Sequence, residues 1–374
     1  MRFQPFLQER VMSKFENKVD YNLSESGVHP LTVDEFLDYK PGIIDKIKST
    51  LINYPYANGN PGLRENIAQI YHGASADNVL VTVGAIEANY NSIHSLLSPG
   101  DEIAIMLPNY LQIWGVAKNR GLKINEFHLS EKNGWAADIT ELEAAVTPKT
   151  KLIAVCNPNN PTGKILTQEE MDAVVNCASK VGSWILSDEV YRGATRVAND
   201  ENPSFYSLYD KVLAIGSTSK AYGLPGLRLG WVVGPIDTVD EILARHEYNV
   251  LSTSMLSNVL AEIALSPDVR PKLLMRTRGY IRRGFPILEK WMNEHPDTFE
   301  MRPPDAAAIA FMRYKMDINS TEFVERLMNE KSVLIVAGDH FGMDHFIRIS
   351  YGLPEDYMIP ALNRIDDLMN ELAR

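Results

Sequence analysis

Short runs of apolar residues recur between residues 78 and 234, and within each run the apolar positions do not alternate with polar ones. Uninterrupted apolar runs of this length are typical of strands that are buried on both faces of a sheet. Six runs predict strands, at residues 78–84, 101–108, 151–158, 183–189, 211–217 and 227–234. They indicate a large sheet at the centre of the molecule.

Helical periodicity lies between several of these runs. In the clearest case, four residues share one helical face: Met171, Val174, Val175 and Ala178. Thr167 and Glu170 have the spacing of a capping box at the start of this helix, and Gly182 can end it. Strands that alternate with helices predict an α/β fold with a mostly parallel sheet.

The pattern changes after residue 237. Long amphipathic segments follow, including the basic stretch at 276–294, and two alternating stretches at 308–314 and 345–352 predict further strands. We therefore expect a second, smaller α+β domain, which the first forty residues, lacking a strong strand pattern, would join. The predicted division is an N-terminal arm and part of the small domain at 1–45, a large domain at 46–250 and a small C-terminal domain at 251–374.

Composition and charge narrow the function classes. The chain of 374 residues has a net charge of -11, which argues against a nucleic-acid binder or a polybasic membrane-surface protein. Its two cysteines, Cys156 and Cys177, are too few for a disulfide framework or a zinc site. A signal-peptide pattern and a long apolar span are both missing from the sequence, so we expect a cytoplasmic protein without membrane association.

Polar residues follow five of the predicted strands at the point where each ends. In open α/β sheets, ligands bind beyond the carboxyl ends of the strands. In chain order these residues are Gly84, Tyr110, Asn160, Asp188 with Tyr191, and Ser217 with Ser219 and Lys220. Each alone has an ordinary structural explanation, such as a turn glycine or a capping carboxylate. Their succession at one edge of a sheet predicts a single site.

The order and spacing of these residues are also those of a known family. The chain resembles the class I/II aminotransferases, which are fold-type I enzymes that use pyridoxal 5′-phosphate (PLP). The resemblance spans residues 23–350 and is carried by YPYANGNPGLRE (54–65), NPNNPTG (157–163), SDEVYRG (187–193), STSKAYGLPGLRLGW (217–231) and FIRIS (346–350). It implies a fold-type I architecture, with a large domain built on a mostly parallel sheet and a smaller α+β domain.

The resemblance assigns Lys220 to a Schiff base with the cofactor. The segment 217–231 contains Lys220 and Arg228 but no acidic residue. A lysine that forms a Schiff base must give up its proton, and a desolvated, cation-rich setting favours the neutral amine, whereas a paired carboxylate would have the opposite effect. We therefore expect Lys220 to lack an acidic neighbour.

The other cofactor contacts are implied by the same resemblance. The phosphate would be bound by Ser217, Ser219 and Arg228, and by the backbone amides of Gly84, Ala85 and Ile86 at a helix N-terminus. Many relatives have a hydroxyl or amide side chain at the third of these positions, where Ile86 offers only its backbone. For the pyridine ring of the cofactor, the resemblance implies that Asp188 contacts the nitrogen and that Tyr110 stacks on one face. It implies that Asn160 and Tyr191 form hydrogen bonds with the ring hydroxyl. Lys220, Asp188 and Tyr191 would be the catalytic residues.

The substrate and the partner subunit have implied contacts as well. Arg348 matches the arginine that binds the substrate α-carboxylate, and Asn160 and Gly27 are further candidates for substrate binding. Tyr54 matches a tyrosine that relatives lend to the phosphate site of the neighbouring subunit. The resemblance therefore implies a homodimer with shared active sites, acting on an amino acid and a 2-oxo acid.

Two segments depart from the usual family pattern. Residues 23–32, LSESGVHPLT, replace the glycine-rich entry motif and are similar to the corresponding segment of capreomycidine synthase, a PLP enzyme of the same fold. Ala306, Ala307 and Ala308 stand where many relatives have glycines before a substrate-facing strand. Both departures indicate an unusual side-chain pocket.

Three functions remain open from the sequence. Transamination is favoured; a C–S β-lyase or a capreomycidine-synthase-like elimination or cyclisation enzyme is the alternative. Both reactions need Lys220 and Asp188, so these residues do not separate them. A transcription regulator with an aminotransferase-like domain would carry an added DNA-binding module, for which we expect too little chain before the family region.

Overall fold

The computed structural model describes residues 3–372, which contain thirteen α-helices and fourteen strands. The strands are β1 (Tyr21–Asn22), β2 (Val79–Thr82), β3 (Glu102–Leu107), β4 (Lys123–Ser130), β5 (Ala136–Ala137), β6 (Thr150–Cys156), β7 (Trp184–Asp188), β8 (Val212–Ser217), β9 (Gly230–Val233), β10 (Phe299–Met301), β11 (Ile309–Tyr314), β12 (Val333–Leu334), β13 (Val336–Ala337) and β14 (Phe346–Ser350). The helices are α1 (Leu7–Phe15), α2 (Val33–Leu37), α3 (Ile43–Ser49), α4 (Pro61–Ala68), α5 (Gly84–Leu96), α6 (Gln112–Arg120), α7 (Ile139–Ala145), α8 (Gln168–Val181), α9 (Ile236–Asn249), α10 (Met255–Ala264), α11 (Arg270–Asn293), α12 (Ser320–Lys331) and α13 (Glu355–Leu372).

The central sheet has eight strands in the order β2-β9-β8-β7-β6-β3-β4-β5. The neighbouring strands β8, β7, β6, β3 and β4 run parallel, whereas β9 is antiparallel to β2 and β8, and β5 is antiparallel to β4. Each of the six predicted runs forms a strand of this sheet. The predicted α/β fold with a mostly parallel central sheet is therefore confirmed.

Both faces of the sheet are buried, as uninterrupted apolar runs require. Along β6, Ile153 and Val155 belong to one hydrophobic cluster, while Leu152 and Ala154 belong to another. Successive side chains of a strand point to opposite faces, so the two clusters lie on opposite sides of the sheet. Strand β4 was not predicted, since it is half exposed and its sequence, KINEFHLS, has no continuous apolar run.

Helix α8 forms where its capping residues predict. The side chain of Thr167 accepts a hydrogen bond from the backbone N–H of Glu170, and the Glu170 carboxylate accepts one from the backbone N–H of Thr167. Gly182 ends the helix in the left-handed conformation, with a φ of 69°. The predicted helix and both of its ends are confirmed.

A second sheet, in the order β10-β11-β14-β13, is antiparallel. Its strands β11 and β14 are the two alternating stretches predicted from the sequence. Strand β1 pairs in parallel with β12, which joins the beginning of the chain to its C-terminal third. The predicted domain boundaries themselves remain a prediction. Between residues 3 and 372, no helix combines the length and the apolar composition that crossing a bilayer requires.

Candidate functional site

A cavity of about 770 Å³ lies at the carboxyl ends of β3, β6, β7 and β8. Eleven of the fourteen candidate residues line it: Ala85, Ile86, Tyr110, Asn160, Asp188, Tyr191, Ser217, Ser219, Lys220, Arg228 and Arg348. The predicted convergence has a simple cause, since parallel strands deliver their carboxyl ends to one edge of the sheet. Gly84, Gly27 and Tyr54 do not line the cavity.

Lys220 has an acidic neighbour, contrary to our expectation. The Oε2 atom of Glu25 lies 3.5 Å from its Nζ atom. The positive charge of Lys220 lowers the pKa of Glu25 below its ordinary value, against the opposing effect of burial. The reasoning from segment 217–231 was wrong because the carboxylate comes from a distant part of the chain. The only signal in the sequence was that Glu25 lies in the unusual segment 23–32.

Gly27 packs against the lysine segment. A Cβ atom at this position would lie 3.4 Å from the carbonyl oxygen of Ser219 and 3.7 Å from Cδ of Lys220. Gly27 therefore contacts the lysine segment and is not among the residues that line the cavity. Its predicted contact with the substrate remains a prediction.

Arg228 lies against the beginning of helix α5. Gly84 has a φ of +73°, and a Cβ atom there would lie 2.6 Å from Nη2 of Arg228. A Cβ atom on Gly230 would lie 2.4 Å from the backbone nitrogen of Ala85. Nη1 of Arg228 donates to Oγ of Ser219 at 3.4 Å. Glycine at both positions thus allows a guanidinium, a hydroxyl and a helix N-terminus to meet.

This grouping has the chemistry of an anion site. The N-terminus of α5 offers backbone N–H groups and the positive end of the helix dipole. The planar guanidinium of Arg228 adds donors that suit a phosphate group. Oγ of Ser217 accepts from the backbone N–H of Ser219 at 3.3 Å, so the two serines lie next to each other beside the arginine. Ile86 contributes backbone only, as expected, and its carbonyl accepts a hydrogen bond from Gln112.

Asp188 ends strand β7, lines the cavity and is 7% exposed. Its carboxylate accepts from Nδ2 of Asn89 at 2.9 Å and from the backbone N–H of Val190 at 3.3 Å. Burial raises the pKa of Asp188, and these two neutral donors oppose the rise. A buried carboxylate with neutral donors favours a cationic or N–H-bearing ligand beside it. Asn89 was not predicted, because it lies inside a helix and not at a strand end.

Arg348 is buried on strand β14, with 1% of its surface exposed. Its Nη1 atom donates to Oδ1 of Asn160 at 2.8 Å, and its Nη2 atom donates to the backbone carbonyl of Ser24. Its Nε atom has no hydrogen-bond partner among residues 3–372. Burial lowers the pKa of the Arg348 guanidinium, because a charged group is less stable when it is removed from water. This burial distinguishes Arg348 from an ordinary surface arginine on a strand.

Tyr191 lies close to the same residues. Its hydroxyl donates to Oγ of Ser26 at 2.8 Å, and burial raises the pKa of its phenol. Ser24, Glu25 and Ser26 together bring the unusual N-terminal segment into contact with Arg348, Lys220 and Tyr191 in turn.

Helix α1 covers another part of the cavity, which sequence reasoning did not foresee. Gln8, Glu9, Met12 and Glu16 line the wall. Oε1 of Glu9 accepts from the hydroxyl of Tyr110 at 2.8 Å, and the ring of Phe6 lies 4.9 Å from the Tyr110 ring. No strand end or glycine turn marks this helix, so the pattern that located the other residues could not find it.

Tyr54 and the three alanines at 306–308, which the sequence associated with the site, do not line the cavity. Tyr54 is 81% exposed and lies outside the cavity of its own chain. Ala306, Ala307 and Ala308 are buried and do not line the cavity. Ala306 forms an isolated bridge with Thr195, and the backbone N–H of Ala307 donates to the Ala194 carbonyl, so these alanines pack against the 194–195 segment.

Comparison with known proteins shows the family to which the chain belongs. The family model described as aminotransferase class I and II matches residues 30–365. The chain belongs to the aminotransferase class I and II family. It is 29% identical to capreomycidine synthase of Streptomyces vinaceus, over 99% of this chain and 94% of that protein. It is 28% identical to an aspartate aminotransferase of Streptomyces avermitilis, over 85% of this chain and 82% of the relative.

A solved structure agrees with this placement. A PLP-dependent aminotransferase from Streptococcus suis superposes with a TM-score of 0.93 at 29% identity, over the full length of both chains. The expected fold-type I architecture and the expected enzyme class are confirmed.

Proposed function

We propose that this protein is a PLP-dependent aminotransferase that moves an amino group between an amino acid and a 2-oxo acid. The observation that carries the proposal is the meeting of Lys220, Asp188 and Arg348 in one cavity beside the anion site formed by Arg228 and helix α5. The amine of Lys220 and the buried carboxylate of Asp188 would bind the cofactor. The buried cation of Arg348 would bind the α-carboxylate of the substrate.

The residues of the cavity fit PLP. Arg228, Ser217, Ser219 and the N–H groups at the start of α5 would hold the phosphate, a role supported by the space that Gly84 leaves for Arg228. Asp188 would pair with the ring nitrogen, and its neutral donors leave it suited to that partner. Asn160 and Tyr191 would bind the ring hydroxyl, and Tyr110 would cover one ring face. When bound, PLP supplies an electron sink that stabilises negative charge at the substrate α-carbon.

Lys220 supplies the amine and moves a proton. Its Nζ atom holds or releases a proton at the α-carbon of the substrate, which is general acid–base catalysis. The Glu25 carboxylate lies 3.5 Å from this Nζ atom, within ion-pair distance of it.

Arg348 would orient the substrate. Its Nε atom is unpartnered among residues 3–372, whereas its terminal nitrogens bind Asn160 and Ser24. A substrate α-carboxylate would accept from the guanidinium, as bidentate arginine–carboxylate pairs commonly do. Asn160 holds the guanidinium in position from the side of β6.

The proposal includes a homodimer. Tyr54 is exposed in the single chain, and Leu51, Ile52 and Tyr56 in the same segment are each more than 60% exposed. An exposed patch of large apolar side chains is typical of a protein–protein interface. In the proposed dimer, Tyr54 would reach the phosphate site of the partner subunit. A cytoplasmic location remains a prediction.

Elimination or cyclisation is the second candidate. It is favoured by the identity to capreomycidine synthase along nearly the whole chain and by the contacts of segment 23–32 with Lys220 and Arg348. Both reactions begin with removal of the α-proton, so Lys220 and Asp188 would serve in either.

A product assay separates the two candidates. Purified enzyme with PLP would be incubated with 2-oxoglutarate and each amino acid in turn. Transamination predicts glutamate from the mixture, and it predicts loss of the cofactor's aldehyde-form absorbance when the amino acid is added without 2-oxoglutarate. Elimination or cyclisation predicts ammonia or a cyclic product with no glutamate, which would overturn the transamination proposal. Lys220→Ala serves as the inactive control.

A further inference from the structure

A buried pair of side chains joins the beginning of helix α5 to the last turn of helix α9. Glu87 lies in the first turn of α5, and His246 lies in the last turn of α9. The Nδ1 atom of His246 is 2.7 Å from Oε1 of Glu87. Glu87 is 7% exposed and His246 is fully buried. Neither residue lines the cavity, so a ligand bound there would not contact them directly.

The Glu87 carboxylate accepts hydrogen bonds from three donors. Its Oε2 atom accepts from the backbone N–H of Val83 at 2.6 Å. Its Oε1 atom accepts from Nδ2 of Asn91 at 3.0 Å and from Nδ1 of His246. A buried carboxylate is costly unless it is paired and hydrogen-bonded, and these donors meet that requirement. The carboxylate is therefore held by α5, by α9 and by the residue that precedes α5.

The contact with Val83 acts on the turn that leads into the anion site. Val83 is followed by Gly84, whose φ is +73°. The hydroxyl of Thr82 donates to the Gly84 carbonyl at 3.0 Å, so a second side chain holds the same turn. The backbone N–H groups of Gly84, Ala85 and Ile86 come next, and these are the groups proposed to bind the cofactor phosphate. The direction in which they point depends on the conformation of this turn.

A glutamate at position 87 has an electrostatic cost for phosphate binding. It lies in the same helical turn as the N–H groups that would bind the phosphate, and like charges repel. Repulsion alone would favour an uncharged residue at this position. The hydrogen bonds from Val83 and His246 give the carboxylate a structural role at the turn, which offsets the repulsion.

We infer that Glu87 and His246 are positioning residues for the cofactor phosphate. Glu87 fixes the backbone at Val83, so that the N–H groups at the start of α5 point to the phosphate. His246 holds the Glu87 carboxylate in place from α9. This inference rests on the proposed function, since it concerns the same phosphate site, and it adds two residues that do not line the cavity.

Two ligands that differ only in the phosphate group separate positioning from general stability. Pyridoxamine 5′-phosphate and pyridoxamine have the same ring, and neither carries the aldehyde that reacts with a lysine. Calorimetry with the cofactor-free protein gives the ratio of their affinities. Loss of positioning lowers this ratio, whereas a general loosening of the site weakens both ligands and leaves the ratio unchanged. The ratio should fall about tenfold in Glu87→Ala, equal to about 1.4 kcal/mol, and several-fold in His246→Phe.

Two further variants test how the pair acts. Glu87→Gln keeps an oxygen that can accept from the backbone N–H of Val83, so it should retain most of the ratio that Glu87→Ala loses. If His246 acts through Glu87, adding His246→Phe to Glu87→Ala should not lower the ratio further. Additive losses in the double variant would show that His246 does not act through Glu87.

Glu170→Ala is the matched control. Glu170 is also 7% exposed and lies in the first turn of a helix, α8, where its carboxylate accepts from the backbone N–H of Thr167 at 2.6 Å. It does not line the cavity. Its loss should lower the melting temperature without changing the ratio. Melting curves would verify that each variant is folded, and His246→Phe, which leaves the Val83 contact in place, carries the test if Glu87→Ala does not fold.

The inference and the proposed function fail in different ways. If the wild-type protein binds the two ligands equally well, the phosphate site is wrong and the proposed cofactor is rejected with it. If the wild-type protein prefers the phosphorylated ligand while folded Glu87→Ala and His246→Phe keep or increase the ratio, the proposed function stands and the positioning role is rejected.

Discussion

The carboxylate of Glu25 lies 3.5 Å from Nζ of Lys220, although 195 positions of the chain separate the two residues. This pair gives the reactive lysine a counter-charge that its own segment lacks. It also connects segment 23–32 directly to the proposed chemistry, since Ser24 and Ser26 contact Arg348 and Tyr191.

The Glu25–Lys220 pair should make a small, pH-dependent contribution to stability. Lys220 lowers the folded-state pKa of Glu25, so the contribution is present above the ordinary glutamate pKa of about 4.3 and is lost as the pH falls through the lower folded-state pKa. Because the Glu25 side chain is 44% exposed, we expect Glu25→Gln to cost less than about 1 kcal/mol. Denaturant melts of the cofactor-free protein at neutral and at acidic pH would measure it. A cost that grows as the pH falls would contradict the pairing.

Lys220→Ala should abolish turnover and leave the fold intact. The anion site of Arg228 and helix α5 does not depend on the lysine, so the variant should still bind PLP reversibly, with its lysine-dependent absorbance lost. Lys180→Ala, at an exposed position on α8, is the control and should keep wild-type activity. Full activity of purified Lys220→Ala without added amine would reject the assignment.

Asp188→Asn should slow the reaction by orders of magnitude, each tenfold corresponding to about 1.4 kcal/mol of barrier. The same change should stabilise the cofactor-free protein. Burial raises the pKa of Asp188, so the folded state is penalised increasingly as the pH rises from the ordinary aspartate pKa to the raised folded-state value. The gain in melting temperature should therefore be largest at neutral pH and shrink in acid. A near-wild-type rate with PLP bound would show that Asp188 is not the ring partner.

Gly84→Ala should weaken cofactor binding. The new Cβ atom would lie 2.6 Å from Nη2 of Arg228, at a φ of +73° that costs a residue with a Cβ about 1–2 kcal/mol. Fluorescence titration with PLP should show a Kd raised about tenfold or more, if about 1.4 kcal/mol of phosphate contact is lost. Gly115→Ala, in helix α6 with open space around the new Cβ, should leave the Kd unchanged. An unchanged Kd in Gly84→Ala would remove α5 from the phosphate site.

Tyr54→Ala should be strongly impaired if the tyrosine serves the partner's phosphate. Mixing this variant with Lys220→Ala and allowing subunits to exchange should then restore part of the activity. One site of each mixed dimer would combine an intact lysine with an intact tyrosine, and both changes would fall in the other site. The readout is glutamate formation after confirmed exchange. Absence of recovery would place Tyr54 outside the partner's site.

Local sequence determined much of this molecule. Each continuous apolar run became a strand because such a run is stable only when both faces are covered, and the capping box at Thr167 begins α8 through contacts three residues apart. The residues after each strand reached one cavity because parallel strands end at a common edge. Strand β4 was not predicted, because one of its faces is partly exposed and its sequence mixes polar and apolar residues.

The tertiary structure alone decided the contacts that set the site's chemistry. Glu25 meets Lys220, Asn89 meets Asp188, and Asn160 meets Arg348 across 195, 99 and 188 positions of the chain. No periodicity or motif encodes such distances, since they depend on how whole elements pack. Helix α1 brings Glu9 to Tyr110 for the same reason. The residues at the strand ends could therefore be predicted from the sequence, whereas the positions of Glu9 and Glu16 in the cavity wall depend on how helix α1 packs.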